Sequence, residues 1–133
     1  MTGYLLDTNV LSHLVRNPRG RVRDHIAKVG ESAVWTSVIV AGELRFGAIK
    51  SGSPRLRQSV EAVLDTITVN PIRPPADNEY ARLRQTLEAF GHPIGPNDML
   101  VAAHALTENA TLVTANTREF RRVPGLAVSD WVT

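Results

Sequence analysis

Three carboxylates carry the strongest chemical signal in these 133 residues. Asp7 closes the short apolar run Tyr4-Leu5-Leu6, Glu43 is embedded in Val38-Ile39-Val40-Ala41-Gly42-Glu43-Leu44, and Asp98 opens Met99-Leu100-Val101-Ala102-Ala103. Each stands beside residues that belong in a core, so each points into a partly desolvated place. Three such charges about 5 Å apart would repel by roughly 3 kcal/mol per pair at an effective dielectric near 20, so the group calls for a cation or a shared proton. Oxygen donors with few histidines suit Mg2+ or Mn2+, which keep several waters and take one or two carboxylates from a protein. Ordinary roles compete with this one. Asp7 can cap the helix that follows it; Asp98 can complement a helix dipole while Asn97 does the capping; Glu43 can be a solvated helix residue. Gly42 and Gly47 flank Glu43 and would let another element approach it closely.

Other chemistries are excluded. With no cysteine there is no disulfide framework, no cysteine zinc site and no thiol nucleophile. The chain has no Gly-rich phosphate loop with its Lys-Ser/Thr, no nucleophile elbow and no histidine pair at metal-ligand spacing, since His13, His25, His92 and His104 stand apart. The formal net charge is a modest +2. Its basic part, however, is thirteen arginines and only two lysines, Lys28 and Lys50. Arg16, Arg19, Arg21 and Arg23 with Lys28, then Arg45, Lys50, Arg55 and Arg57, then Arg118, Arg121 and Arg122 form three basic groups along the chain. They read either as solvated helix faces in a GC-rich composition or as a rim that grips phosphate through planar guanidinium forks. Seven aromatic residues make base stacking a lesser term than backbone contact.

The elements that must position these groups follow from hydrophobic period and punctuation. Tyr4-Leu5-Leu6 predicts a strand, and Val10, Leu11, Leu14 and Val15 predict a helix stopping near Pro18. A second helix spans 21–29. Ala33-Val34-Trp35 predicts a strand, with Thr36-Ser37 capping a helix through Ile49. Leu56, Val60, Val63, Leu64 and Ile67 stripe the next helix, and Pro71-Ile72-Arg73-Pro74-Pro75 is a rigid connector. Helices follow over 76–90 and from Gly95-Pro96-Asn97 to about Glu108. Thr111-Leu112-Val113-Thr114 predicts a strand, 117–120 a helical turn, and Leu126-Ala127-Val128 a last strand. The alternation predicts an α/β fold, a single domain over residues 1–133 with a central, mainly parallel sheet flanked by helices. In such sheets the functional cleft lies outside the carboxyl ends of the strands, which selects Asp7 and the segment Thr114 to Asn116. Nothing precedes Tyr4-Leu5-Leu6 that resembles a charged leader, and no apolar run approaches membrane length, so a cytoplasmic protein is expected.

Four motifs in order, Leu6-Asp7-Thr8-Asn9, Ser37-x5-Glu43-Leu44-x2-Gly47, Gly95-x2-Asp98-x3-Ala102 and Val113-Thr114-x-Asn116-x3-Phe120, resemble those of the PIN-domain nucleases. The chain is similar throughout to the VapC toxins of type II toxin–antitoxin systems. Its densest similarity, over 91–98 and from Thr114 through Pro124-Gly125-Leu126 to Asp130-Trp131, is to the subgroup cutting the anticodon loop of initiator tRNA. The resemblance implies Asp7, Glu43 and Asp98 as catalytic acids, with Mg2+ (or Mn2+) on Asp7 and Asp98. It implies Thr8 and Thr114 as hydrogen-bond partners of the carboxylates. Where many relatives carry a fourth acid this chain has Asn116, and Glu119 is the nearest group able to compensate. Such a centre hydrolyses a phosphodiester with water as nucleophile, leaving a 3′-hydroxyl and a 5′-phosphate. Arg16, Arg19, Arg45, Arg118 and Arg121 are then the candidate RNA contacts. The implied partners are RNA, a VapB-type antitoxin crossing the cleft, and a second copy of the toxin, with operator DNA bound only through the antitoxin. The competing function is a PIN-like module that binds nucleic acid without cutting it.

Overall fold

A computed structural model describes residues 3–133. Five parallel strands, β1 (Tyr4–Leu6), β2 (Val34–Ser37), β3 (Thr68–Asn70), β4 (Thr111–Val113) and β5 (Val128–Ser129), form one sheet in the order β3-β2-β1-β4-β5. Around it run α1 (Thr8–Arg16), α2 (Arg21–Val29), α3 (Val38–Ser51), α4 (Pro54–Asp65), α5 (Ala76–Ala89), α6 (Pro96–Thr107) and the single turn α7 (Thr117–Phe120). The mainly parallel sheet expected from sequence is parallel at every pairing. Its central strand is short and wholly apolar because both of its faces are covered: Leu5 and Leu6 have no exposed surface. Burying each such side chain contributes roughly 1.5–3 kcal/mol. Leu112 and Val113 on β4, Val10 and Leu11 on α1, and Val101, Ala102 and Ala105 on α6 complete this centre. The small residues of α6 let it lie close to the sheet, while its other contacts go to α5 and α3.

The strand order has a consequence for the site. From β1 the chain moves to β2 on one side, and only later returns to place β4 on the other. The carboxyl ends of β1 and β4 therefore flank a topological switch point, the place where connections diverge and leave a crevice. Register fixes which residues meet there: Leu6 lies beside Val113, so Asp7 and Thr114 emerge side by side.

Several local readings are corrected. Thr68-Val69-Asn70, passed over as the approach to a proline connector, forms edge strand β3 against Trp35, Thr36 and Ser37. An edge strand tolerates Pro71 immediately beyond it. Ala33 ends a 3-10 turn, and β2 begins one residue later and runs through Thr36 and Ser37, all four of its residues buried. Buried Thr36 satisfies its hydroxyl by donating to the Leu6 carbonyl at 2.7 Å, clamping β2 to β1 just before Asp7. Leu126 and Ala127 precede β5 instead of forming it. Asn97 does not cap α6: Gly95 is the N-cap, without a side-chain bond, and Pro96 takes the first helical position.

Candidate functional site

Asp7 is the anchor of the site. Its backbone N–H donates to the Val113 carbonyl at 2.9 Å, and its own carbonyl accepts from Val10 and Leu11 to start α1. Both carboxylate oxygens are held: Oδ1 accepts the Thr8 N–H and Oδ2 accepts the Thr114 hydroxyl, each at 2.8 Å. Capping and cleft placement are therefore not alternatives, because one oxygen does each job. The residue is only 4% exposed. Burial pushes its carboxyl above the ordinary carboxylate value; the bonds from Thr114 and Thr8 oppose that, and the charge of Glu43 adds to it.

Thr8 reaches two acids at once. Its N–H serves Asp7 while its hydroxyl donates to Glu43 Oε1 at 3.1 Å, which draws this residue of α3 toward the first turn of α1. Gly42 and Gly47 do not admit a neighbouring element as their position suggested. A Cβ at either would meet no atom within 4 Å, so this flank of α3 is open, with Val38, Phe46 and Ile49 exposed along it.

Asp98 approaches from the other side of the cleft as the third residue of α6. Its Oδ2 lies 3.5 Å from where a Gly95 Cβ would stand, so the carboxylate folds back over the helix start. Its pKa is raised to about 6, first by burial and then by the charges of Asp7, Glu43 and Glu119; every one of these influences acts in the same direction. Glu119 is thus within electrostatic reach of the acidic group. Asn116 aims it there by donating from Nδ2 to Glu119 Oε2 at 2.8 Å.

Among the described residues no three His, Asp or Glu side chains stand close enough to cage an ion by themselves. The donors are sparse, oxygen-only and mutually repelling. That suits a hard cation keeping most of its own waters, Mg2+ or Mn2+, and does not suit a closed zinc site. The histidines stand elsewhere: His104 is buried edge-on to Trp35, and His25 stacks on Trp131.

Asn9 belongs to the Leu6-Asp7-Thr8-Asn9 motif, but no role of its own follows for it from the sequence. It donates from Nδ2 to Thr114 Oγ1 at 3.4 Å and accepts the Ala115 N–H on Oδ1 at 2.9 Å. Beside the motif, its signal is position, in the first helical turn two residues beyond a buried acid. The arginines divide. Arg16 lines a groove with Thr8, Ser12, Glu43 and Leu44, contiguous with the acidic group. Arg19, Arg118 and Arg121 are exposed. Arg45 is turned away toward α4, forked onto Glu61 by two hydrogen bonds of 3.0 Å.

The PIN domain family matches residues 4–126 of the chain. A curated relative, Ribonuclease VapC2 of Rickettsia felis, is 35% identical over 130 residues, covering 96% of this chain and 97% of its own. The tRNA(fMet)-specific endonuclease VapC of Shigella flexneri is 33% identical over 132 residues, covering 98% of this chain and 99% of its own. Among solved structures, VapBC2 from Rickettsia felis bound to a DNA fragment from its promoter superposes with a TM-score of 0.91 at 31% identity, covering 98% of this chain and 99% of that one.

Proposed function

The chain belongs to the PIN-domain family, and within it to the VapC ribonuclease toxins of toxin–antitoxin systems, and from that premise we propose that it is a Mg2+-dependent endoribonuclease acting on tRNA. Residues 1–133 act as one nuclease domain in this reading. The observation that carries it is the gathering of Asp7, Glu43, Asp98 and Glu119 about the switch point between β1 and β4, where burial first and the neighbouring carboxylates after it raise Asp98 to about 6. Asp7 and Asp98 would hold the ion, Glu43 would complete the acidic group, and Glu119 would stand in for the acid that Asn116 replaces. The chemistry supplied by Mg2+ when bound is polarisation of a phosphodiester and acidification of a water, which needs no side-chain nucleophile.

The remaining steps belong to the chain itself. Thr114 and Thr8 keep Asp7 in one orientation through bonds that favour its charged form. Thr8 holds Glu43 at the edge of the cleft. Arg16, beside that edge, would take a phosphate flanking the scissile one, with exposed Arg19, Arg118 and Arg121 extending the rim. The Arg45 guanidinium is already paired with Glu61, so it is removed from the proposed contacts.

Initiator tRNA is the proposed target, supported by the likeness to the tRNA(fMet)-specific endonuclease VapC of Shigella flexneri. A VapB-type antitoxin is the proposed partner, in a hetero-oligomer built on a toxin homodimer, with operator DNA reached through the antitoxin. The Rickettsia VapBC2 complex on promoter DNA supports this. The protein would act in the cytoplasm; among the described residues no helix is long and apolar enough to cross a membrane. Sequencing the ends of RNAs cut after controlled expression tests the target. One cut in the anticodon loop of initiator tRNA is expected. Tight RNA binding without any cut RNA would favour the non-cleaving module, for which the neutral Asn116 is the specific argument.

A further inference from the structure

The hydroxyl of Thr114 is fully committed. A threonine hydroxyl has one proton to give and two lone pairs to receive with. Here Asn9 Nδ2 and the Asn116 N–H both donate to Oγ1, at 3.4 and 3.0 Å, while Oγ1 lies 2.8 Å from Asp7 Oδ2. With both lone pairs engaged, the proton has one place to go, the Asp7 carboxylate. The orientation of Asn9 is itself fixed. Its other amide atom faces the Ala115 N–H at 2.9 Å, which only an oxygen can accept, so the NH2 group must face Thr114. Asn9 and Thr114 lie 105 residues apart and on different elements, so their bond also ties the first turn of α1 to the chain leaving β4.

From this network we propose that Asn9 is a positioning residue of the centre, acting through the Thr114 hydroxyl to hold Asp7 Oδ2 in the orientation that receives a divalent cation. Without the Asn9 amide, one lone pair of Oγ1 is free, the hydroxyl gains a second orientation, and Oδ2 loses its fixed donor part of the time. Asn9 has no bond to Asp7 itself: its Oδ1 is taken by the Ala115 N–H, and its effect on Oδ2 passes through the Thr114 hydroxyl. The inference rests on the proposed Mg2+ centre at Asp7.

Calorimetric titration of Mn2+ into the full chain, free of RNA, tests it with Asn9→Ala, Thr114→Val and the double variant. Loss of a partner behind a metal ligand typically weakens metal affinity by about 10–100-fold, and about tenfold is expected for Asn9→Ala. In the Thr114→Val background, where there is no hydroxyl to orient, Asn9→Ala must cost nothing further, and in a Thr114→Ser background its cost must return. Thr114→Ala replaces Thr114→Val if the latter does not fold. Wild-type affinity in Asn9→Ala, or an equal loss in every background, overturns the inference while leaving the metal centre standing. A wild-type chain that binds no Mn2+ overturns both. On RNA, Asn9→Ala should lower kcat and leave KM unchanged; a change in KM alone would place Asn9 in substrate binding instead.

Discussion

The two sides of the acidic cleft are built on different principles. On the β1 side, Asp7 is buried and bonded at both oxygens, and one of its donors, the Thr114 hydroxyl, is itself held by Asn9 and Asn116. On the α6 side, Asp98 is partly exposed, stands in the first turn of a helix with no side-chain cap, and feels burial and three neighbouring acids all raising its pKa. The difference shows how one cleft can be both rigid and receptive. Asp7 is fixed by two hydrogen bonds that offset part of the cost of burying its charge. Asp98 carries a charge that the protein leaves uncompensated, so it is the residue whose environment changes most when a cation arrives.

Removing a support should therefore hurt the Asp7 side most. Thr114→Val leaves a buried carboxylate oxygen and the Asn9 amide without their partner, and a cost of about 2 kcal/mol in metal-free denaturant unfolding is expected. A variant as stable as wild type would mean that Asp7 is less dependent on its donors than the geometry implies.

The Asp98 side should respond in the opposite sense. In the folded chain its pKa is about 6, above the ordinary 3.8, so the fold favours the protonated form. Below about pH 4 the group is neutral whether folded or unfolded and contributes nothing. As pH rises toward 6 the folded state is progressively penalised, and above that the penalty is complete. Asp98→Asn in metal-free protein should accordingly stabilise by about 1 kcal/mol at pH 7, a figure discounted for partial exposure, with the gain vanishing by about pH 4. A loss of stability at pH 7 would make Asp98 a helix-start residue favoured by the dipole, and the contrast with Asp7 would collapse. Saturating Mg2+ should erase the variant's advantage, since an ion bound at ten times its dissociation constant stabilises wild type by about 1.4 kcal/mol.

Arg45→Ala is the smallest effect. Its pair with Glu61 is about half exposed at both ends, so unfolding free energy should move by no more than about 0.5 kcal/mol and RNA cleavage not at all. A tenfold fall in cleavage would return Arg45 to the RNA rim.

The same contrast explains what could be read in the sequence. Asp7, Glu43 and Asp98 were visible because each borders or interrupts an apolar run, and the alternation of strands and helices put two of them at strand or helix ends facing one cleft. The hydrogen bonds holding Asp7 were less visible, since Asn9 and Thr114 meet only after β1 and β4 pair across 105 residues. Edge strand β3 escaped notice because a three-residue strand next to Pro71 has no alternation to detect. The start of α6 was misjudged by favouring Asn97 as a cap over the stronger signal of Gly95 before Pro96, and the helical glycines 42 and 47 marked an open surface, not a contact.

Cleavage of tRNA by the purified chain tests the central claim most directly, with Mg2+ titrated from an EDTA-treated baseline and wild type set beside folded Asp7→Asn and Asp98→Asn. The account predicts no product without metal, 5′-phosphate ends with it, and a loss on the order of 100-fold or more in both variants. Metal-independent cleavage, or wild-type rates in either variant, would contradict it.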